Sequence, residues 1–203
     1  MPVIVPALHP VKLTDLRPTQ MTVGYHEVEQ KRKLWRKRIE HDGPEFLARH
    51  VIPIVLARKD RMYMVDRHHL ARALVDEGVE MVLTNQVADL RRVEKASFWT
   101  VLDLNRWCHP YDDDGERVKF ADIPKTIDKL TDDPYRSLAG SLRRAGGFAK
   151  DISNYSEFLW ADFLRRHVKK AAIADNFADA LADAVKLARG QTADYLPGWV
   201  GSE

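Results

Sequence analysis

The chain has 203 residues, 45% hydrophobic and 31% charged, with 32 lysines and arginines against 30 aspartates and glutamates. That apolar share supports a buried core in one extended domain or two small ones and excludes a disordered chain, while a formal charge of only +2 leaves any nucleic-acid contact to a local patch. The single cysteine, Cys108, excludes an intrachain disulfide and a multi-cysteine metal site.

The start Met1-Pro2-Val3-Ile4-Val5-Pro6-Ala7-Leu8 is apolar, but prolines break it and no basic residues flank it. It reads as neither signal peptide nor membrane span, so a cytoplasmic location without a membrane partner is the expectation. Val11, Leu13 and Leu16 suggest an entry strand ending at Pro18, and Gln20 to Gly24 a loop. Tyr25 to about Glu40 reads as a helix with Val28, Leu34, Trp35 and Ile39 as its apolar stripe, stopped by Gly43-Pro44. Lys31-Arg32-Lys33 and Arg36-Lys37-Arg38 make its polar face strongly positive. That face is either a phosphate-steering surface in which Lys31 takes part, or a solvated face balanced in part by Glu27, Glu29 and Glu40. No row of aromatics accompanies it, as stacking on a single strand would require.

Glu45 to His50 reads as a short helix, and Ile52–Leu56 with Met62–Val65 as a strand hairpin. The apolar run of the second strand stops at Asp66, and helical spacing begins with Leu70, Ala73 and Leu74. A helix start at Asp66-Arg67-His68-His69 follows, with Asp66 as N-cap accepting the N–H of His68 or His69. First-turn amides and the positive end of the helix dipole suit an anion, and Arg67, His68 and His69 add donors whose charge can switch near neutral pH. The helix ends near Glu77, with Gly78 as a left-handed cap, and Val79 to Val87 reads as a strand. Residues 1–95 are therefore expected to form an α+β domain with a mixed sheet, and residues 96–203 a helical extension.

That extension begins with a helix from Ser97 to Trp107. Tyr111-Asp112-Asp113-Asp114-Gly115 fails the calcium-loop pattern and reads as an acidic turn, and Cys108 reads as a buried structural thiol. Asp133-Pro134 marks a helix start running to Arg144, Gly146-Gly147 stops it, and helices from Tyr155 to about Lys170 and Phe177 to Ala188 follow. Arg136 is either a phosphate fork or a partner of Asp162 docking two helices.

The hairpin and the stretch from Met62 to Leu74 resemble the core of the ParB/sulfiredoxin superfamily, where a short strand pair leads into a turn that contacts a nucleotide or other phosphate. Asp66-Arg67-His68-His69 is most similar to the Asp-Gly-His-His turn of an ADP-dependent free-serine kinase in that superfamily, with Arg67 in place of glycine. Arg17-Pro18-Thr19-Gln20, Val23 to Val28, Asp132 to Gly140 and Glu157 to Phe163 resemble a bacterial family labelled "putative ParB-like nuclease", over roughly residues 11 to 168. The resemblance implies catalytic roles for Asp66, His68, His69 and Glu27. It also implies nucleotide or phosphate contacts from Arg67, His68, His69, Arg72, Gln20, Lys31 and Arg136. In the kinase a glutamate acts as base, and either Glu27 or Gln20 takes its place here, an amide being unable to accept the proton. Magnesium would enter with a bound nucleotide, held by Asp66 and phosphate oxygens. Three activities stay open: nuclease or nucleotidase, small-molecule phosphotransferase, and a non-catalytic nucleotide-sensing or DNA-associated module.

Overall fold

The computed structural model describes residues 8–42, 44–150 and 155–201. The apolar start through Ala7, and Gly43 of the expected helix stop, lie outside them. The chain divides into two compact units: residues 1–21, 28–111 and 117–131 form the first, and residues 22–27, 112–116 and 132–203 the second.

The first unit is built on a five-stranded mixed sheet. Its strands are β1 (Leu8–Lys12), β2 (Leu16–Arg17), β3 (Ile52–Ala57), β4 (Arg61–Met64) and β5 (Met81–Asp89), in the order β1-β5-β3-β4-β2. The entry strand starts earlier than its apolar pattern implies and is split by a 3-10 turn, Leu13–Asp15, so Leu16–Arg17 can pair in parallel with Met62–Tyr63 at the other edge. The hairpin forms as expected, Ile54 opposite Met64 and Ala57 opposite Arg61. Central β3 is nearly all apolar because it is covered on both faces.

Helix α1 (Tyr25–Asp42) contributes all but its first three residues to this unit. Only part of its expected stripe is buried: Val28 and Trp35 face inward, whereas Leu34 and Ile39 are exposed. α2 (Pro44–Arg49) brings Phe46 edge-on to Trp35 at 5.4 Å. α3 (His68–Asp76) follows β4, and Gly78, at φ +71°, supplies the left-handed exit. α4 (Lys95–Leu104) begins and ends earlier than its sequence pattern suggests, since Arg106 turns left-handed at φ +55° and takes Trp107 out of the helix. Phe98 and Leu102 of α4 pack with Val55, Tyr63 and Cys108, so α4 and the segment through Thr131 belong to the first unit rather than to a separate extension.

The second unit is helical: α5 (Pro134–Arg144), α6 (Ser156–His167), α7 (Lys170–Asp175) and α8 (Phe177–Arg189). The helix expected from Tyr155 to Lys170 is two elements, because Val168 and Lys169 are extended. Trp160, stacked on Phe148 at 4.5 Å, and Phe163, Leu138 and Leu142 fill its core, with alanines 180, 184 and 188 of α8 allowing close helix approach. Together the two units make a mixed α+β protein. Among the described residues no helix is long and apolar enough to cross a membrane.

Candidate functional site

The turn from β4 into α3 is tighter than the sequence implies. Arg67, not Asp66, is the N-cap, in the left-handed conformation at φ 65°, ψ 28°, and its carbonyl accepts the first helical bond from Ala71 N–H at 2.9 Å. Asp66 stands one residue earlier, its Oδ1 accepting the Arg67 N–H at 2.6 Å. The expected cap bond from Asp66 to His68 or His69 is replaced by this one, because a strand that reverses into a helix within two residues needs a positive φ at the cap. The Arg67 side chain makes no cap bond. A glycine would adopt this conformation without cost; an L-residue bears about 1 kcal/mol.

The two histidines part company, as neighbours about 100° apart on a helix must. His68 is 5% exposed, and its Nε2 accepts the backbone N–H of Thr19 at 3.1 Å. A ring nitrogen that accepts an amide hydrogen carries no proton, so His68 is held neutral with its proton on Nδ1. Thr19 Oγ1 in turn donates to the Met64 carbonyl at 2.8 Å. One threonine thus ties the segment after β2 to both the last strand residue and the first helix residue of the turn. His69 is half-buried and Asp66 exposed.

Gln20 follows Thr19 and is 4% exposed. Its backbone pairs with His109, whose N–H donates to the Thr19 carbonyl at 2.9 Å. Of the two positions competing for the base, Gln20 therefore sits in the unit that holds the turn. Glu27 belongs to the second unit, 8% exposed, where it accepts two bonds from Arg144. Gly140 leaves room for that carboxylate, since a Cβ there would fall 2.8 Å from Glu27 Cδ.

Arg72 Nε bonds Asp76 at 3.0 Å and its Nη1 donates to the Leu130 carbonyl at 2.8 Å. The basic face of α1 is half neutralised: Arg32 and Arg36 both bind Glu77 at 2.7 Å, Arg38 meets Asp42, and Lys31 is half-buried. Hydrogen bonding from Arg36 leads the effects that hold the Glu77 carboxyl down at about 2.

Arg136, in the second unit, is 7% exposed. It donates to the Thr22 carbonyl at 3.3 Å and lies 3.8 Å over the Phe158 ring, and burial lowers its pKa to about 10. The pairing expected with Asp162 is replaced: Asp162 binds Arg166 at 3.1 Å, one turn along its own helix. Cys108 is buried, its thiol pushed up to about 12 chiefly by desolvation, which fits a structural thiol. The acidic turn is fastened by Asp112, whose Oδ1 accepts the amides of Asp114 and Glu116. Among the described residues no three His, Cys, Asp or Glu side chains gather as a metal site.

Thr19 and His109 carry no motif of their own, and only their bonds to residues far along the chain reveal them. A short mixed sheet delivering a hairpin strand into a left-handed turn and helix start is the architecture of a ParB-like domain. The sequence matches the family described as "Putative ParB-like nuclease" over residues 9–166, and the chain belongs to that family. The structure is similar to that of protein Atu1540 from Agrobacterium tumefaciens, a name that states no activity. The two share 49% identity and a TM-score of 0.92, covering 99% of this chain and 100% of the other. No curated protein matches the chain.

Proposed function

We propose that the β4–α3 turn binds the phosphate of a nucleotide or phosphodiester, and that the chain acts there by phosphodiester hydrolysis. The observation that supports this most is the helix start with no side-chain cap: α3 begins at a strained Arg67 whose side chain is not spent on the helix. First-turn amides have no carbonyl of their own helix to bond, and a phosphate is the ligand that suits them.

In this reading His69, the half-buried histidine of the pair, exchanges protons with the reacting group, and Arg67 carries charge to the phosphate. His68 is a positioning residue, because its Nε2 is occupied by Thr19. Exposed Asp66 is the carboxylate able to hold magnesium that arrives with phosphate oxygens, which needs only one or two protein ligands. Such an ion would supply charge neutralisation. The phosphotransferase alternative is weaker, since Glu27, its candidate base, is engaged by Arg144.

The test is a thermal-shift and calorimetric titration with inorganic phosphate, ADP and a short oligonucleotide, with and without magnesium, on wild type and on Asp66→Ala and His69→Ala. Stabilisation of wild type by phosphate-bearing ligands, reduced in the variants, is expected. Absence of any response in wild type overturns the reading.

A further inference from the structure

Five residues scattered from 99 to 120 come together in the first unit as a continuous row of planar groups. His109 stacks on Tyr111 at 4.6 Å and 29°. The Arg117 guanidinium lies 5.6 Å from the Tyr111 ring and 5.6 Å from the Phe120 ring, and Phe120 stacks on Trp99 at 5.4 Å and 7°. Asp103 holds Arg117 in place through a 2.5 Å bond.

The two ends of the row differ. Trp99 and Phe120 pack on the cluster of Tyr63, Phe98 and Leu102, which accounts for them as core. His109, Tyr111 and Arg117 are not part of that cluster; the two rings are half-buried and the arginine side chain is 46% exposed. This outer end is joined to the candidate site through one residue. Thr19 accepts the His109 N–H with its carbonyl and gives its own N–H to His68.

We infer that the His109–Tyr111–Arg117 row is a base-stacking platform, and that the phosphate taken at the α3 turn belongs to a single-stranded nucleic acid rather than to a free nucleotide. The inference rests on the phosphate reading above. Aromatic faces interleaved with a guanidinium suit unpaired bases, whose stacking is tolerant of sequence, and the cation also meets the strand's charge. One base covers one ring, so a row of three groups beside a phosphate site is longer than a mononucleotide can use. A duplex hides its base faces and gains nothing from such a row.

The test is fluorescence anisotropy on the full chain at fixed salt, with labelled thymidine oligomers of increasing length, the matching duplex, and unlabelled dTMP and inorganic phosphate as competitors. Wild type should bind oligomers more tightly as length rises over the first few nucleotides, and more tightly than duplex. Tyr111→Leu, which keeps apolar volume but loses the π face, should weaken oligomer binding about tenfold while competition by phosphate is unchanged. A melting curve like that of wild type would show that this variant is folded, and His109→Leu repeats the test should it not be. Equal oligomer affinity in folded Tyr111→Leu overturns the platform and leaves the phosphate site standing. Binding of dTMP as tight as that of the oligomers, or a preference for duplex, overturns the single strand. If wild type binds neither phosphate nor oligomer, the phosphate reading falls as well.

Discussion

Two helices of this protein begin in opposite ways. α5 is sealed: Asp133 caps it through Tyr135 N–H at 3.0 Å, Pro134 fills the first position, and Arg165 neutralises the carboxylate at 2.7 Å. Burial pushes the Asp133 carboxyl above its ordinary range, against the pull of Arg165. α3 has no such plug; its cap is a left-handed arginine, and the polar group beside it is a neutral imidazole bonded to Thr19. A helix start that brings its own anion is architecture, while one that brings none is suited to an anion from outside. The same rule sorts the charged residues singled out from sequence. Glu27 and Arg136 are committed inside the second unit, and the α3 turn is where charge is still to be supplied.

The largest test of this contrast is on the sealed side. Arg165→Leu strands a buried carboxylate and should cost about 3 kcal/mol in urea unfolding, since removing one partner of a buried pair leaves an uncompensated charge. Adding Asp133→Asn should recover part of that loss, because the cap survives without its charge; a double variant no more stable than the single one would mean the pair is not what seals the helix. On the open side, His68→Leu leaves the Thr19 N–H buried without its acceptor and should cost about 1–3 kcal/mol, read from the same unfolding curves. An unchanged midpoint would sink the view that His68 positions the turn. The smallest effect is a gain: Arg67→Gly relieves the left-handed cap and should stabilise the fold by up to about 1 kcal/mol, less the extra entropy of the unfolded glycine. The same change should weaken phosphate binding in the titration, and stabilisation with undiminished binding would remove Arg67 from the site.

Much of the framework was legible along the chain. The hairpin, the helix after it, the Asp133-Pro134 start and the Gly78 exit all formed where the residues called for them, because turns, caps and apolar periodicity are chemistry between near neighbours. The resemblance at residues 62–74 also led to the family to which the chain belongs. The failures were local where backbone geometry overrode side-chain preference. Asp66 has the chemistry of a cap, yet the reversal demanded a left-handed residue one step later.

What the amino-acid order determined by itself is therefore the set of elements and the place where strand becomes helix. What only the tertiary structure decided is who meets whom: His68 with Thr19, 49 residues away, Glu27 with Arg144, 117 residues away, and a row of planar groups drawn from residues 99 to 120. Those partnerships depend on which backbone segments are brought alongside one another when the core closes. A histidine or glutamate carries no local sign of whether its lone pairs will be spent inside the fold or left for a ligand.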